Sequence, residues 1–287
     1  MGKNKSHLLA IDFESWIFSE RINKKQLNLK ELRKLDNGYS IKALDYILKT
    51  LKRHNQKITF FLVFKLEEIY PGIIKKILSE GHEVGWHTHT HAIIKNENIL
   101  KRELELSKPL LKRYNIKGFQ APTISFIREG YLLLKKYGFL YSSSIYGNSN
   151  IKYNFGGVYE IPVSISRLSF RPKKKEIKFP SDMRFWRTLK YGIPFGSSFF
   201  WGLFGKKFYS KMLEDAGKKS LTYNLFIHDW QLVTPKSKDY KKDVSILTHP
   251  IFFTFFLLYR LNVSHMFEYL LSRIKFRRFI DYIKKDV

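Results

Sequence analysis

Two hydrophobic patterns alternate along the first 140 residues and predict two kinds of element. Short continuous apolar runs rich in Phe, Ile and Val predict buried strands, and apolar positions three and four residues apart predict helices. The predicted strands are residues 7–13, 58–64, 82–86 and 118–121, and the predicted helices are residues 40–54, 69–80, 96–114 and 128–137. Because strands that alternate with helices pair in parallel through crossover connections, the pattern predicts an α/β protein built on one barrel or open sheet.

The rest of the chain extends this pattern. Residues 158–166 and 221–228 predict two more strands, and residues 265–285 predict an amphipathic basic helix. We expect a single domain over all 287 residues, with a barrel core at about residues 7–235 and a basic, aromatic-rich helical extension at about residues 244–287.

Two stretches, residues 191–205 and 244–259, contain no Lys, Arg, Asp or Glu. Each is shorter than the ~20 residues that a membrane-spanning helix needs. In one interpretation they are buried segments. In the other they lie at a membrane interface, because Lys206, Lys207 and Arg260 flank them and such side chains keep their charges in water.

Charge and cysteine content narrow the possible functions. The chain has 52 Lys and Arg residues against 25 Asp and Glu, a net charge of +27, so we expect an anionic environment: nucleic acid, an acidic membrane face or a phosphorylated substrate. The absence of cysteine excludes a disulfide scaffold, a Cys-ligated zinc site and thiol catalysis. The first apolar run ends at Asp12 after four residues, too short for the ~7–15 apolar residues of a secretory signal, and we therefore expect a cytoplasmic protein.

The polar residues that follow the strands carry the candidate chemistry, because parallel barrels form their active sites at the carboxyl ends of their strands. Four of the nine histidines fall within residues 82–91. In a helical turn, His87 and His91 would share one face within reach of a metal ion, whereas in an extended segment His89 would join them. A histidine-rich surface loop, or histidines satisfied in the core, explains the cluster without a metal.

Acids and a histidine also end two predicted strands. Asp12 and Glu14 end the first strand, and His228 ends a late one. One carboxylate can complete a two-histidine metal site while the other acts as a general base, and a histidine at the same mouth can protonate a leaving amine. Exposed acids and a structural histidine are the simpler explanations, and the local pattern leaves both open.

Four short motifs carry these residues in a fixed order. They are Asp12-Phe13-Glu14-Ser15-Trp16, His87-x-x-x-His91, Gly118-Phe119-Gln120-Ala121-Pro122 and His228-Asp229-Trp230-Gln231. Their order resembles the polysaccharide deacetylase family, the NodB-homology or carbohydrate esterase 4-like proteins, with most likeness to the subgroup found with exopolysaccharide and exosortase gene systems. The resemblance implies a distorted (β/α)7 barrel that uses a divalent metal to remove N-acetyl groups from amino sugars in a polysaccharide or lipid-linked saccharide.

The resemblance also implies roles for individual residues. Glu14, His87 and His91 would hold the divalent metal, often zinc in this family, with cobalt, manganese and nickel as alternatives. Asp12 would act as the base that activates the attacking water, and His228 as the acid that protonates the leaving amine. The residues implied in substrate binding or support of the site are Gln120, Pro122, Trp16 and Trp230.

Three positions depart from the family pattern. Gln120 stands where the family has an arginine that pairs with the catalytic Asp, and it can hydrogen-bond to Asp12 without supplying a charge. Ser142 replaces an acid expected to partner the histidine, and Ser15 replaces the third acid of the first motif. Two hypotheses follow: a metal-dependent N-deacetylase, or a related protein that binds a saccharide or lipid carrier without turnover.

The chemistry that the family implies does not require a charge of +27, so the charge indicates where the protein works. We expect peripheral contact with the anionic inner face of a membrane, or with a phosphate-bearing lipid carrier, because anionic leaflets attract basic segments. Nucleic-acid binding is a third hypothesis. No known nucleic-acid-binding motif accompanies the basic runs at residues 173–175 and 277–278, and we expect no nucleic-acid partner.

Overall fold

The computed structural model describes residues 6–18, 25–147, 152–165, 192–218, 221–233 and 262–284. The strands are β1 (His7–Phe13), β2 (Thr59–Leu62), β3 (Glu83–Trp86), β4 (Gly118–Phe119), β5 (Tyr141–Ser142), β6 (Tyr146–Gly147), β7 (Tyr153–Phe155), β8 (Val158–Glu160), β9 (Val163–Ser164), β10 (Asn224–His228) and β11 (Phe276–Arg277). The helices are α1 (Leu29–Asp36), α2 (Tyr39–Arg53), α3 (Lys65–Ile69), α4 (Ile73–Ser79), α5 (Glu97–Arg113), α6 (Gly130–Lys136), α7 (Phe199–Lys218), α8 (Asp229–Leu232), α9 (Val263–Arg273) and α10 (Phe279–Ile283). Short 3-10 turns cover Trp16–Phe18 and Pro122–Ile124.

The main sheet runs in the order β10-β1-β2-β3-β4-β5-β8-β7, and all its pairs are parallel except β7 with β8. β11 adds to the start of β1, and β6 pairs with β9 in a separate parallel pair. Parallel strands joined through helices confirm the α/β class that the alternating pattern predicts. β1 lies between β10 and β2 with Asp12 opposite His228, so two predicted site residues meet at the carboxyl ends of neighbouring strands.

Successive residues of β1 pack on opposite faces of the sheet. Leu9 and Ile11 belong to the large hydrophobic cluster that includes residues of the surrounding helices. Leu8 and Ala10 belong to a second cluster, formed with side chains of neighbouring strands. Because side chains alternate along a strand, Asp12 lies on the same inner face as Leu8 and Ala10.

Aromatic side chains fill the inner face of the barrel below the site. Phe279 of α10 stacks on Tyr141, with ring centroids 5.6 Å apart, and meets the Phe61 ring edge-on at 5.5 Å. Little space is left between these side chains and the backbone of β3. A Cβ added at Gly85 would lie 2.5 Å from the ring of Phe61. The C-terminal segment therefore completes the core of the barrel, and the polar residues collect at the carboxyl ends of the strands.

Two predicted elements are interrupted by proline. The helix predicted at residues 69–80 is two helices, α3 and α4, because Pro71 has no N–H to donate and Gly72 has a left-handed φ of 99°. The strand predicted at residues 158–166 is divided into β8 and β9, with Pro162 between them.

The prediction of one continuous basic helix over residues 265–285 is also wrong. α9 ends at Arg273, and the chain then forms β11 before α10. The buried Gln56 stabilises this break. Its side-chain amide donates to the carbonyls of Leu271 and Ile274 and accepts from the N–H of Phe276, so the backbone groups freed by the end of the helix are paired.

The apolar stretch at residues 191–205 is mostly buried where the structure describes it, with Phe195, Phe199 and Trp201 in the interior and Leu203 exposed. This favours the buried interpretation of that stretch. The stretch at residues 244–259 and the basic run at residues 173–175 lie outside the described residues. Across the described ranges, no helix combines the length and the apolar character needed to cross a membrane.

Candidate functional site

Three side chains from two distant parts of the sequence converge at the carboxyl ends of β1 and β3. Nε2 of His91 lies 2.8 Å from Oε2 of Glu14, and Nε2 of His87 lies 3.4 Å from the same oxygen. All three potential ligand atoms lie within 4.8 Å of one another. Tetrahedral zinc with bonds of about 2.1 Å would hold such atoms roughly 3.4 Å apart. These are the residues that the sequence analysis assigns as metal ligands.

Hydrogen bonds of the two imidazole rings leave both Nε2 atoms facing Glu14. Nδ1 of His87 lies 2.9 Å from the carbonyl oxygen of Gln120, and Nδ1 of His91 lies 3.1 Å from that of Phe18. Because a carbonyl oxygen only accepts, each Nδ1 carries a proton, and Nε2 of a neutral ring presents a lone pair. Nε2 of His91 is buried and is not aligned for a hydrogen bond, although Glu14 is close. Two lone pairs and a carboxylate oxygen facing one point fit a divalent cation.

The electrostatics of Glu14 and His87 favour the metal-binding state, whereas the charge of Glu14 favours the protonated form of His91. Burial opposes ionisation of Glu14, but His91 and His228 outweigh it and hold the pKa of Glu14 well below its usual range. Burial lowers the pKa of His87. Burial acts the same way on His91, but the Glu14 carboxylate outweighs it and raises the pKa of His91 above its ordinary value. An ionised carboxylate and a neutral His87 are the forms in which both bind a metal.

The loop after β3 that carries both histidines is neither helical nor extended. Thr88 and His91 have left-handed φ values of 62° and 60°. The His91 ring turns back until its centroid is 5.1 Å from that of His87. His89 points away, with Nε2 3.1 Å from Oε1 of Glu68. The backbone therefore matches neither alternative left open by the spacing, but the side chains are grouped as the helical alternative expects, with His87 and His91 together and His89 apart.

Neighbouring side chains orient Glu14 and hold the turn after it. The indole N–H of Trp230 donates to Oε1 of Glu14 at 3.0 Å, which leaves Oε2 for the histidines. The backbone N–H of Ser15 donates to Oδ1 of Asp229 at 3.1 Å, and its hydroxyl donates to Oδ1 of Asp36 at 2.9 Å. Ser15 has a left-handed φ of 55°, so these hydrogen bonds hold a strained turn. At the position where the family has an acid, Ser15 instead supplies a donor to a buried acid.

Asp12 is buried beside Glu14, and its partner is a neutral amide. With its amide nitrogen turned toward Asp12, Gln120 donates to both carboxylate oxygens and lies 3.1 Å from Oδ2. With the amide in this orientation, the two residues make the contact that the sequence analysis expects. Burial, together with the charges of Glu14 and Asp229, raises the pKa of Asp12 well above its ordinary value. Gln120 offers a dipole and no positive charge to offset this effect.

His228 faces both carboxylates from the end of β10. Its Nε2 lies 4.0 Å from Oδ2 of Asp12 and 3.9 Å from Oε1 of Glu14. Its Nδ1 lies 2.9 Å from Oε1 of Gln231, which only accepts, so Nδ1 is protonated. The ring stacks on Trp230 at a centroid distance of 5.0 Å. The ring is therefore fixed with Nε2 toward the carboxylates.

The structure gives Ser142 and His228 separate partners, and the expected role of an acid at position 142 stays a prediction. The hydroxyl of Ser142 donates to that of Ser144 at 2.7 Å, and it lies beside the buried Glu160, whose pKa burial raises and this hydroxyl lowers. It is the next residue, Ser143, that accepts a hydrogen bond from Asn224 of β10, because side chains alternate along a strand. Ser142 therefore lies beside Glu160. Nδ1 of His228 has Gln231 as its hydrogen-bond partner.

Two further predicted residues lie in the walls around the site. Trp16 opens the turn that follows Glu14 and is 9% exposed. Pro122 opens the turn that follows Gln120 and is buried. Their part in substrate binding or support stays a prediction.

Sequence reasoning missed four residues that hold the site, namely Asp36, Glu103, Asp229 and Gln231. Asp229 and Gln231 directly follow His228, so the polar character of that motif is a signal that could have identified them. Glu103 accepts hydrogen bonds from the backbone of the histidine loop. It and Asp36 lie on helices far along the chain from their partners, and no local pattern marks them.

Comparison with known proteins finds a family that part of this sequence resembles. The sequence model of the polysaccharide deacetylase family matches residues 34–139, which include His87 and His91. A peptidoglycan-N-acetylglucosamine deacetylase of Bacillus cereus is 37% identical over 101 residues, covering 31% of this chain and 35% of that protein. The peptidoglycan-N-acetylglucosamine deacetylase PgdA of Listeria monocytogenes is 39% identical over 70 residues, covering 24% of this chain and 15% of that protein. The matched segments thus span about a third or less of these relatives.

Solved structures share the fold. A structure from Pseudomonas aeruginosa PAO1, described as a probable polysaccharide deacetylase, has a TM-score of 0.57 at 16% identity and covers 97% of this chain and 89% of its own. The allantoinase PuuE has a TM-score of 0.57 at 16% identity and covers 97% and 88%. These likenesses confirm the predicted distorted (β/α)7 barrel, whereas the exopolysaccharide subgroup stays a prediction. Residues 34–139 are thus similar to the polysaccharide deacetylase family, and the described chain shares the fold of these solved structures.

Proposed function

We propose that this protein is a divalent-metal-dependent hydrolase that removes an N-acyl group, most simply an N-acetyl group, from an amino sugar. The observation that carries the proposal is the convergence of three acceptor atoms, Nε2 of His87, Nε2 of His91 and Oε2 of Glu14. Two imidazoles and a carboxylate are a common donor set of catalytic zinc and leave a position open. Cobalt, manganese and nickel accept the same donors.

The other polar side chains of the site divide the proton transfers. A bound divalent ion would supply a Lewis acid that polarises the amide oxygen of the substrate. Asp12, held by Gln120, takes a proton from the attacking water. Nε2 of His228, 4.0 Å from Asp12, gives a proton to the leaving nitrogen. Gln231 holds the other ring nitrogen, so the proton that His228 exchanges is the one that faces the site.

The substrate class is supported by the relatives and by the charge. Two relatives are named for the deacetylation of N-acetylglucosamine in peptidoglycan. For this chain we extend that only to an N-acylated amino sugar, in a polysaccharide or on a lipid carrier. The net charge of +27 favours a surface that bears phosphate, and we propose peripheral contact with the anionic inner face of a membrane.

Acetate release tests the reaction. The metal-loaded protein is incubated with free and lipid-linked N-acetylated oligosaccharides, beside a His91→Ala variant that lacks one ligand and a His89→Ala variant from the same loop. We expect His91→Ala to lose both metal and acetate release, and His89→Ala to keep the metal, because its ring points toward Glu68. Acetate release by His91→Ala at the wild-type rate would contradict the proposal.

A second candidate function is saccharide or lipid-carrier binding without turnover. One observation favours it: the base Asp12 is partnered by the neutral amide of Gln120, in surroundings that raise its pKa. Calorimetry on the metal-loaded protein separates the two functions. Oligosaccharide binding with no acetate released from any substrate supports this candidate, and turnover excludes it.

Vesicle co-sedimentation tests the membrane contact. We expect binding to vesicles with an anionic lipid, weakened by salt, and none to vesicles of zwitterionic lipid alone. Equal binding to both kinds of vesicle, or to neither, contradicts the contact. Tight binding to duplex DNA with a steep salt dependence would instead support the nucleic-acid hypothesis.

A further inference from the structure

We infer that Glu103 is a positioning residue that shapes the metal-binding loop, an inference that rests on the metal-dependent function proposed above. Glu103 lies on α5 and is 0% exposed. Its carboxylate accepts hydrogen bonds from the N–H of His89 at 3.0 Å, from the N–H of Thr90 at 2.8 Å and from the hydroxyl of Thr90 at 3.0 Å. All of these donors lie between the two histidine ligands along the chain.

The loop needs such a restraint because its backbone is strained. Thr88 and His91 both have left-handed φ values, which residues with a Cβ adopt rarely and β-branched residues most rarely. The left-handed turn at His91 accompanies the return of its ring toward His87. A loop free to relax to ordinary backbone angles would separate the two Nε2 atoms.

Glu103 supplies one of two clamps on this loop. On the opposite side, the N–H of Phe64 donates to the carbonyl of Thr88 at 3.1 Å, and the N–H of Lys65 donates to the carbonyl of His89 at 2.9 Å. Those bonds join backbone to backbone, so no side-chain substitution removes them. The backbone N–H groups of His89 and Thr90 instead donate to the carboxylate of Glu103, so a single substitution at Glu103 removes both hydrogen bonds.

A carboxylate suits this position better than an amide. It accepts at both oxygens, whereas a glutamine accepts at only one and places an NH2 group where the second oxygen was. Arg102 lies 3.2 Å from Oε1 of Glu103, but its side chain is 62% exposed and contributes little as an ion pair. The donors of the loop are therefore the main partners of this buried charge.

Cobalt binding provides the test, since Co²⁺ reports the geometry of its ligands in its visible spectrum. Metal-free wild type, Glu103→Ala, Glu103→Gln and the control Glu105→Gln are titrated with Co²⁺ and followed by absorbance, with thermal unfolding measured in parallel. Glu105 lies on the same helix, exposed, and bonds to Tyr137 and Lys108. We expect Glu103→Ala to bind Co²⁺ 10- to 100-fold more weakly with an altered spectrum, Glu103→Gln to fall between, and Glu105→Gln to match wild type.

The outcomes separate this inference from the proposed function. Wild-type affinity and spectrum in Glu103→Gln and Glu103→Ala overturn the positioning role, even if both variants are less stable. If Glu103→Ala does not fold, Glu103→Gln decides alone. A wild type that binds neither Co²⁺ nor Zn²⁺ overturns the metal-dependent function, and this inference with it.

Discussion

Replacing Gln120 with arginine tests whether Asp12 is a base held by a partner without charge. The amide nitrogen of Gln120 lies 3.1 Å from Oδ2 of Asp12, and burial with the charges of Glu14 and Asp229 raises the pKa of Asp12. A guanidinium about 4 Å from the carboxylate would stabilise the ionised form of Asp12 by about 4 kcal/mol at an effective dielectric constant of about 20. At about 1.4 kcal/mol for each pKa unit, Gln120→Arg should lower the pKa of Asp12 by up to about 3 units. Desolvation of the arginine reduces this shift.

The measurement has a direct and a kinetic form. Carbon-13 NMR follows the carboxyl carbon of Asp12 through a pH titration, and the acid limb of kcat/KM follows the same group during turnover. We expect both to move to lower pH in Gln120→Arg. The control Gln120→Met keeps the length of the side chain and removes the hydrogen bond without adding charge, so it should not lower the pKa.

The titration of Asp12 and the release of acetate each have a decisive outcome. If Asp12 titrates at the same pH in folded Gln120→Arg as in wild type, residue 120 does not set the charge state of the base, and the argument fails. If wild type releases no acetate and Gln120→Arg does, the natural protein is the binding protein of the second candidate function, and the neutral amide is the reason.

Three other substitutions test the surroundings of the site. Trp230→Phe keeps an aromatic ring beside His228 but removes the donor to Oε1 of Glu14, so zinc affinity measured against a chelating dye should fall about 10-fold; unchanged affinity would exclude an orienting role. Burial raises the pKa of Glu160 from 4.5 to about 7, so the folded protein retains a proton that the unfolded chain releases. As the pH rises from 4.5 to about 7, the unfolding free energy of wild type, measured with urea, should fall by about 3 kcal/mol relative to that of Glu160→Gln and then level off. If the unfolding free energies of the two proteins change with pH in the same way, Glu160 does not have a raised pKa. Ser142→Asp adds a second acid beside the buried Glu160, so it should lower Tm without raising activity, and a gain in acetate release would show that position 142 does reach His228.

The strand ends of the site could be predicted from the sequence because each is a local pattern. The apolar run at residues 7–13 coincides with β1, and the polar residues that follow it belong to the site. The break at the end of α9 could not be predicted in this way. It depends on Gln56, whose side chain accepts from the N–H of Phe276, 220 residues away along the chain. An amphipathic pattern reports which residues become buried and does not report a distant side chain that satisfies the backbone.

The contacts of the histidine loop could not be predicted from residue spacing for a different reason. Spacing predicts which side chains meet only when the backbone has a regular period, and left-handed residues at Thr88 and His91 remove that period. The order of the motifs along the chain could select His87 and His91 as candidate ligands, because it does not depend on local backbone angles.

The proposed metal binding and the proposed turnover are separable, because different residues would support them. The proposed ligands have supporting contacts: carbonyl oxygens hold Nδ1 of both histidines, and Trp230 holds Glu14. Asp12, the proposed base, has a hydrogen bond from the neutral amide of Gln120 and no positive partner in that contact. Tight metal binding is therefore expected whichever proposed function is correct, and the rate of acyl removal depends on the state of Asp12. Metal affinity should be measured first, because a failure to bind metal excludes the hydrolase before any substrate is chosen.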